Sequence, residues 1–400
     1  MTGSPPVAVV TDSTAALTAA EAAAAGVIIV PLHVLIDNEE FTEGVDVEPA
    51  QVIEAIRKNR HVSTSRPSPA VLLDCYERLA ADGAQAIVSA HLSGQLSGTC
   101  DGATLAAREA PVPVDVVDTA STGLALGYAV LAAARGRDDA VSAGSGGPGD
   151  SSAASGASDS GVDSAAADSG DDSDSGDDSD SGDGSAAAER ARRLGEEIRS
   201  RCARTTVLCY VHSLDQLRRG GRIGAAASLL GSALAIKPII ALTRGHVEPV
   251  ARLRTSGRAL ARLTDLAVES VEELRAETPG RPSLDSDRSS AEPSSAESVE
   301  SVGPVGRAES AEPDEPVEPA ESVEPVESVE SVAGGVRIAV HHADALERAE
   351  RLASDLRERC AVSAGEGQEP VPPPVQVREL PAVLDVHLGP GTVAVVVAPA

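Results

Sequence analysis

Hydroxyl side chains gathered at a few points of an otherwise aliphatic chain are the residues best suited to chemistry. One group is Thr64-Ser65, inside the Pro-rich segment Ser63–Pro69. A second is Ser93 with Ser97-Gly98-Thr99, which follows the apolar run Ala86–Ala90 and enters a helical pattern near Asp101–Glu109. Hydroxyls beside a helix N-terminus, with its free N–H groups and positive dipole end, suit a carboxylate or a phosphate. The third group is His387-Leu388-Gly389-Pro390-Gly391, where glycine on both sides of proline permits a sharp turn and close approach to a ligand. An imidazole beside an anion donates a hydrogen bond or becomes partly cationic, because nearby negative charge raises its pKa. The same Ser and Thr also suit plain helix and turn caps, and a lone His is commonly structural. Spacing alone does not choose between the two readings.

These groups need elements to hold them. Val7–Thr11 reads as a strand ending in Asp12-Ser13-Thr14, which supplies N-cap residues for an Ala-rich helix to about Ala25. Val27–Pro31 and Ala86–Ala90 read as strands, Pro49–Lys58 and Ala70–Ala81 as helices, and Ser63–Pro69 as a loop between helices. Val114–Val117 is a further strand and Thr122–Ala134 a further helix. Strands alternating with helices at this spacing predict a parallel α/β sheet, and ligands bind such sheets outside the carboxyl ends of the strands. Further on, a helix is expected over Ala187–Cys202, strands over Thr205–Val211, Ile236–Leu242 and His246–Arg254, and a helix over Gly257–Leu274. Val336–His341, Ala343–Cys360, Val375–Arg378 and Val393–Ala398 complete a second α/β unit of strand, helix, strand, strand.

Two tracts stand apart. Residues 138–188 hold thirteen Asp and no Lys or Arg, and residues 277–333 hold fifteen Asp or Glu against three Arg. They carry −13 and −12 of the net −29, so the rest of the chain is close to neutral. Neither has the apolar surface to offset the entropy of ordering its backbone, and both are expected to be disordered. With three Tyr, one Phe and no Trp, the core must be built from Val, Ile, Leu and Ala, which argues against a base-stacking platform. No Lys/Arg-rich stripe suggests duplex nucleic acid. The five Cys show no metal spacing, a signal peptide and a membrane-length apolar run are both missing, and a cytoplasmic location with buried free thiols is expected.

Taken in order, Val9-Val10-Thr11-Asp12-Ser13-Thr14, Thr64-Ser65-Arg66-Pro67, Leu92-Ser93-Gly94-Gln95-Leu96-Ser97-Gly98-Thr99, Leu217-Arg218-Arg219-Gly220-Gly221-Arg222-Ile223, Leu234-Ala235-Ile236-Lys237-Pro238-Ile239 and His387–Gly391 resemble the DegV family of bacterial fatty-acid-binding proteins. The resemblance implies two α/β domains with a lipid site between them. They would comprise 5–137 at the N-terminus, then 189–276 and 334–400, interrupted by the acidic insertions 138–188 and 277–333. It implies one long-chain fatty acid, such as palmitate or oleate, as ligand and no cofactor. The carboxylate would be held by Thr64, Ser97 and His387, with Ser65, Ser93, Gly98 and Thr99 in support. Arg219 and Arg222 would brace the site or face a partner. That partner would be a fatty acid kinase, which phosphorylates the bound carboxyl to an acyl phosphate. Gly94 departs from the pattern, standing where a second Ser is common.

Two enzyme readings compete. Ser97, His387 and Asp12 contain the ingredients of a Ser-dependent hydrolase acting on a lipid ester, but the G-x-S-x-G elbow is missing because Gln95 stands two before Ser97. A phosphotransferase lacks its G-x-x-x-x-G-K-[ST] loop, and Gly220-Gly221-Arg222 is too short to cradle a triphosphate. A scaffold acting through the acidic tracts would leave the hydroxyl groups unexplained.

Overall fold

The computed structural model describes residues 6–144, 181–229, 236–277, 335–363 and 370–400. Most of both acidic tracts, and with them the expectation of disorder there, lies outside the described residues, as do Leu234 and Ala235. The described residues all fall within one compact unit.

The chain opens with β1 (Val7–Asp12), a 3-10 turn at Ser13–Ala15, α1 (Ala19–Ala24) and β2 (Val27–Val30). The first helix is not capped by Asp12-Ser13-Thr14, as expected. Asp12 caps the 3-10 turn, and Thr18 and Glu21 form a reciprocal capping box for α1. A hairpin of β3 (His33–Ile36) and β4 (Glu39–Thr42) follows, turning at Asp37 and Asn38 with φ of 51° and 71°. Asx residues tolerate that left-handed pair, which matches the twist of the flanking strands. Then come α2 (Pro49–Arg57), β5 (Val62–Ser65), α3 (Pro69–Ala81), β6 (Ala86–His91), α4 (Thr99–Ala107), β7 (Val114–Asp118) and α5 (Leu124–Gly144).

The remainder runs α6 (Ser181–Ala203), β8 (Thr206–Tyr210), α7 (Asp215–Arg219), β9 (Lys237–Thr243), β10 (His246–Leu253), α8 (Ser256–Glu277), β11 (Val336–His342), α9 (Leu346–Arg359), β12 (Val375–Glu379), α10 (Ala382–Leu388) and β13 (Val393–Pro399). Helical backbone therefore continues through 138–144 and 181–188, which the composition assigned to a disordered insertion. Ala187 is buried there because it begins the apolar stripe of α6.

Three sheets result. The first, in order β2-β1-β6-β7, is wholly parallel, as its βα spacing predicts. The second is a small antiparallel sheet, β4-β3-β5, in which Val34 pairs with Thr64. Thr64 and Ser65 thus sit on a strand and not in a loop. The alternation in Val62–Ser65 is too short and polar to announce a strand until β3 offers its edge. The third sheet, β10-β9-β8-β13-β11-β12, is antiparallel except for β11-β12, a parallel pair joined through the crossover helix α9.

Packing departs from the domain boundaries drawn from composition. The stripe Ala187, Ala191, Leu194, Ile198 and Cys202 packs α6 onto the first sheet, with Val7, Val9, Ala86 and Val88, and not onto the second half. Gly195 permits the approach: a Cβ there would lie 2.0 Å from Asp115 Oδ2. Conversely, α10 packs with the small sheet, with Ala382, Val383, Leu384 and Val386 clustering with Leu32, Val34 and Ile53. On the third sheet the pleat divides the side chains. Leu208, Tyr210, Val393, Val395 and Val397 meet α8 and α9, while Val207, Cys209, Ala394 and Val396 point the other way. Arg378 on β12 ties the halves together, donating 2.7 Å bonds to both carboxylate oxygens of Glu21 and to the Ala16 carbonyl. Ile198→Ala, which empties a fully buried site between α6 and the first sheet, is expected to cost about 2–5 kcal/mol in urea unfolding without changing the fold.

Candidate functional site

The face of the third sheet turned away from α8 and α9, the carboxyl ends of the first sheet and α10 enclose a cavity of about 540 Å³. Its wall is mostly aliphatic, with Leu32, Leu92, Val207, Ile240, Val383 and Val396 among the lining side chains. Cys209 belongs to this wall. Burial pushes its thiol up to about 12, so it serves as apolar lining and not as a nucleophile.

The polar groups gather in one continuous ring. Thr64 Oγ1 on β5 and His387 Nε2 near the end of α10 share a hydrogen bond of 2.9 Å. His387 in turn abuts Gly220, where a Cβ would fall 2.4 Å from Nδ1, so only glycine admits the imidazole. Arg222 donates from Nε to the Leu96 carbonyl at 3.0 Å and from Nη1 to the Gly220 carbonyl, which fixes its guanidinium beside the ring. Next to Leu96, Ser97 Oγ lies 2.9 Å from Thr99 Oγ1, and Gly98 forms the uncapped N-terminus of α4. Thr64, Ser65, Ser97, Gly98, Arg222 and His387 all line the cavity.

The supporting residues divide. Ser65 stands at the rim, its hydroxyl donating to Glu40 Oε1 at 2.9 Å. Thr99 is fully buried and acts as the partner of Ser97. Ser93 turns away from the cavity: it is fully buried, donates to the Gly245 carbonyl at 2.9 Å and accepts from the Gln95 N–H. It staples the loop after β6 to the β9–β10 turn. Arg219 is exposed and off the cavity, while Arg222 is part of the wall. Gly94 is explained as well, because its N–H reaches Asp118 Oδ1 and a Cβ would come within 2.7 Å of Oδ2.

The electrostatics of His387 are set by its place in the cavity wall. Burial, and then the positive charge of Arg222, push its pKa down to about 4, so the ring is neutral at neutral pH and the fixed positive charge belongs to Arg222. The sequence reading also passed over Thr14, Thr122, His341 and Arg66, all of which line the cavity. Arg66 was visible inside the Thr64–Pro67 motif and Thr14 inside the Val9–Thr14 motif; Thr122 and His341 are recognised only once the sheets meet.

The Ser97–His387–Asp12 hydrolase constellation is not assembled. Asp12 is fully buried, and its carboxylate is taken by the Thr14 hydroxyl and N–H, the Leu92 N–H at 2.9 Å and His91 Nδ1 at 3.1 Å. His91 Nε2 lies 2.8 Å from Ser89 Oγ, which accepts from the Tyr76 hydroxyl at 2.9 Å. This is an Asp-His-Ser array, but Ser89 and His91 are fully buried and do not line the cavity. Its role is to brace the switch from β1 and β6 into their loops.

A second buried acid holds α10. Glu43 Oε1 accepts the Val383 N–H at 2.8 Å in the first turn of that helix. Burial raises its carboxyl to about 7, against the pull of the Ser13 hydroxyl and Val383 N–H, with Asp12 adding to the rise. On α10 itself Asp385 is raised too, by burial and then by Glu379 and Glu43. The folded protein therefore keeps a proton on Glu43 that the unfolded chain gives up above 4.5, so this residue's contribution weakens as pH climbs from 4.5 to about 7. Glu43→Gln, which keeps an acceptor for Val383, should stabilise the protein by about 1–3 kcal/mol above neutral pH and have little effect near about pH 5, read from Tm against pH.

Known proteins similar to this chain are consistent in kind. A family model described as an uncharacterised protein of the DegV family matches residues 6–144 and 189–279. A DegV domain-containing protein of Streptomyces coelicolor is 34% identical over 391 residues, 98% of both chains. Another from Deinococcus radiodurans is 34% identical over 260 residues, covering 65% of this chain and 75% of that one. Among solved structures, a DegV family protein from Thermus thermophilus described by its fatty acid binding superposes with a TM-score of 0.62 at 23% identity, covering 99% of this chain and 100% of that one. DegV from Bacillus subtilis, described as a fatty acid binding protein, gives a TM-score of 0.62 at 21% identity with the same coverage. The fold, the sequence match and the order of the motifs agree, and the chain belongs to the DegV family.

Proposed function

We propose that the chain binds one long-chain fatty acid, with its carboxylate among Thr64, Ser97 and His387 and its tail along the aliphatic wall. The observation that carries this reading is the cavity itself: about 540 Å³ of largely apolar space with one ring of hydroxyls, imidazole and guanidinium. Burying a tail of about 15 methylenes at roughly 0.8 kcal/mol each is worth on the order of 12 kcal/mol before the costs of association and ordering. A carboxylate brought into such a space is unfavourable unless every oxygen finds donors. The Thr64 and Ser97 hydroxyls, the α4 N–H groups, the neutral imidazole and the charge of Arg222 supply them. The solved fatty-acid-binding relatives share this fold.

Presentation of the bound carboxyl to a fatty acid kinase is the further step. It is supported by the family resemblance and by the half-exposed Ser65 and exposed Arg66 at the rim, beside which the carboxyl would remain reachable from outside. The chain itself is read as the carrier in that pair and not as the catalyst, since among the described residues Ser97 pairs with Thr99 and His387 with Thr64.

Native mass spectrometry of the purified protein is expected to show a co-purified fatty acid. A protein that is empty and also fails to bind palmitate and oleate would rule the proposal out. Thr64→Ala combined with Ser97→Ala should weaken palmitate binding by about 2–5 kcal/mol, measured by isothermal titration, because a buried charge is left short of donors. Replacing residues 145–180 and 278–334 with short Gly/Ser linkers should leave that affinity unchanged; loss of binding would instead favour a role for the acidic tracts in the site.

A further inference from the structure

Arg66 is an exposed basic residue in the cavity lining, and the family motif around it does not explain it. It lines the cavity, is exposed, and follows Thr64 and Ser65 directly. Its guanidinium lies flat against Gly98: a Cβ on that residue would come within 2.8 Å of Arg66 Nη1, 3.2 Å of Cζ and 3.4 Å of Nε. Gly98 is the N-cap of α4 and brings no capping side chain. The cation is therefore parked over the positive end of a nine-residue helix, beside Ser97.

That placement is unfavourable as it stands. A guanidinium and a helix N-terminus repel each other, and Arg222 adds a second positive group to the lining of the same cavity. Among the described residues no carboxylate pairs with Arg66, and Glu40, the acid beside its strand, is engaged by the Ser65 hydroxyl at 2.9 Å. An anion lying between Arg66, the α4 N-terminus and Ser97 removes the repulsion and turns it into attraction.

We propose that Arg66 is a further ligand-binding residue, reaching over the mouth of the cavity to form a charge-assisted bond with the head-group carboxylate. It makes the site select an acid over a neutral lipid of the same length. The inference rests on the reading of the cavity as a fatty-acid site and adds to it the residue that reads the charge. Gly98 is part of the device, since it leaves the space in which the guanidinium lies.

The test compares palmitate with hexadecanol, which has the same chain and no charge, by isothermal titration against the full-length protein. Arg66→Ala should weaken palmitate binding about tenfold and leave hexadecanol binding unchanged, with Arg66→Lys recovering part of the loss. Added salt should erode the wild-type preference for the acid and have little effect on the Arg66→Ala protein. Gly98→Ala, whose methyl pushes the guanidinium aside without removing its charge, should resemble Arg66→Ala. Equal losses for acid and alcohol would overturn the inference, as would unchanged palmitate affinity in Arg66→Ala when Thr64→Ala with Ser97→Ala loses binding. In that second case the fatty-acid reading stands and the role of Arg66 falls. A wild-type protein that binds no palmitate would overturn both.

Discussion

The hydrogen bond between Thr64 and His387 closes a contact across 323 positions of sequence, and the polar end of the cavity depends on it. Thr64 comes from the edge of a three-stranded sheet, and His387 from a seven-residue helix that has no stability of its own. Each is placed by the other's surroundings. The helix is seated by the apolar residues of the small sheet and by Glu43 at its first turn, while the strand exists because β3 offers an edge to pair with. Any change that loosens α10 removes the imidazole and the threonine's partner together.

Close approach at glycine recurs around this contact. Gly220 admits the imidazole, Gly98 admits the guanidinium of Arg66, and Gly195 lets α6 settle on the first sheet. In each case a methyl group would meet a polar side-chain atom, so the glycine buys a short distance between a backbone and a charged or polar tip. The conformational cost of glycine is tolerated because these tips are otherwise hard to bring together in an apolar interior. The Asp12–His91–Ser89–Tyr76 array follows a related rule: buried polar groups are acceptable when each is satisfied by the next. It shows why the presence of Ser, His and Asp says little about catalysis until access is known.

Several parts of this architecture were legible early. The βα alternation over Val7–Val117 announced a parallel sheet, and the Ser97-Gly98-Thr99 entry to α4 was visible as a strand end followed by a helix. Other parts were not. The β3–β4 hairpin had its Asp37-Asn38 turn signal, but its strands of four residues are too short for periodicity to stand out. The short α10 hid within a segment noticed only for its histidine and glycines. The lowered pKa of His387 beside Arg222 was not legible either, because desolvation is a property of the assembled cavity.

Residue chemistry and local order determined which groups were available: the hydroxyls, the imidazole, the guanidinium, the aliphatic wall and the acidic tracts set apart from them. Local pattern also determined the strands and longer helices, since their signals lie within a dozen neighbouring residues. Only the tertiary structure decided that α6 covers the first sheet, that α10 joins the small one, and that Ser93 turns away while Arg66 faces the cavity. Those choices depend on which apolar faces meet and which polar atoms are then left to be satisfied, and both are sums over contacts between residues far apart in the chain.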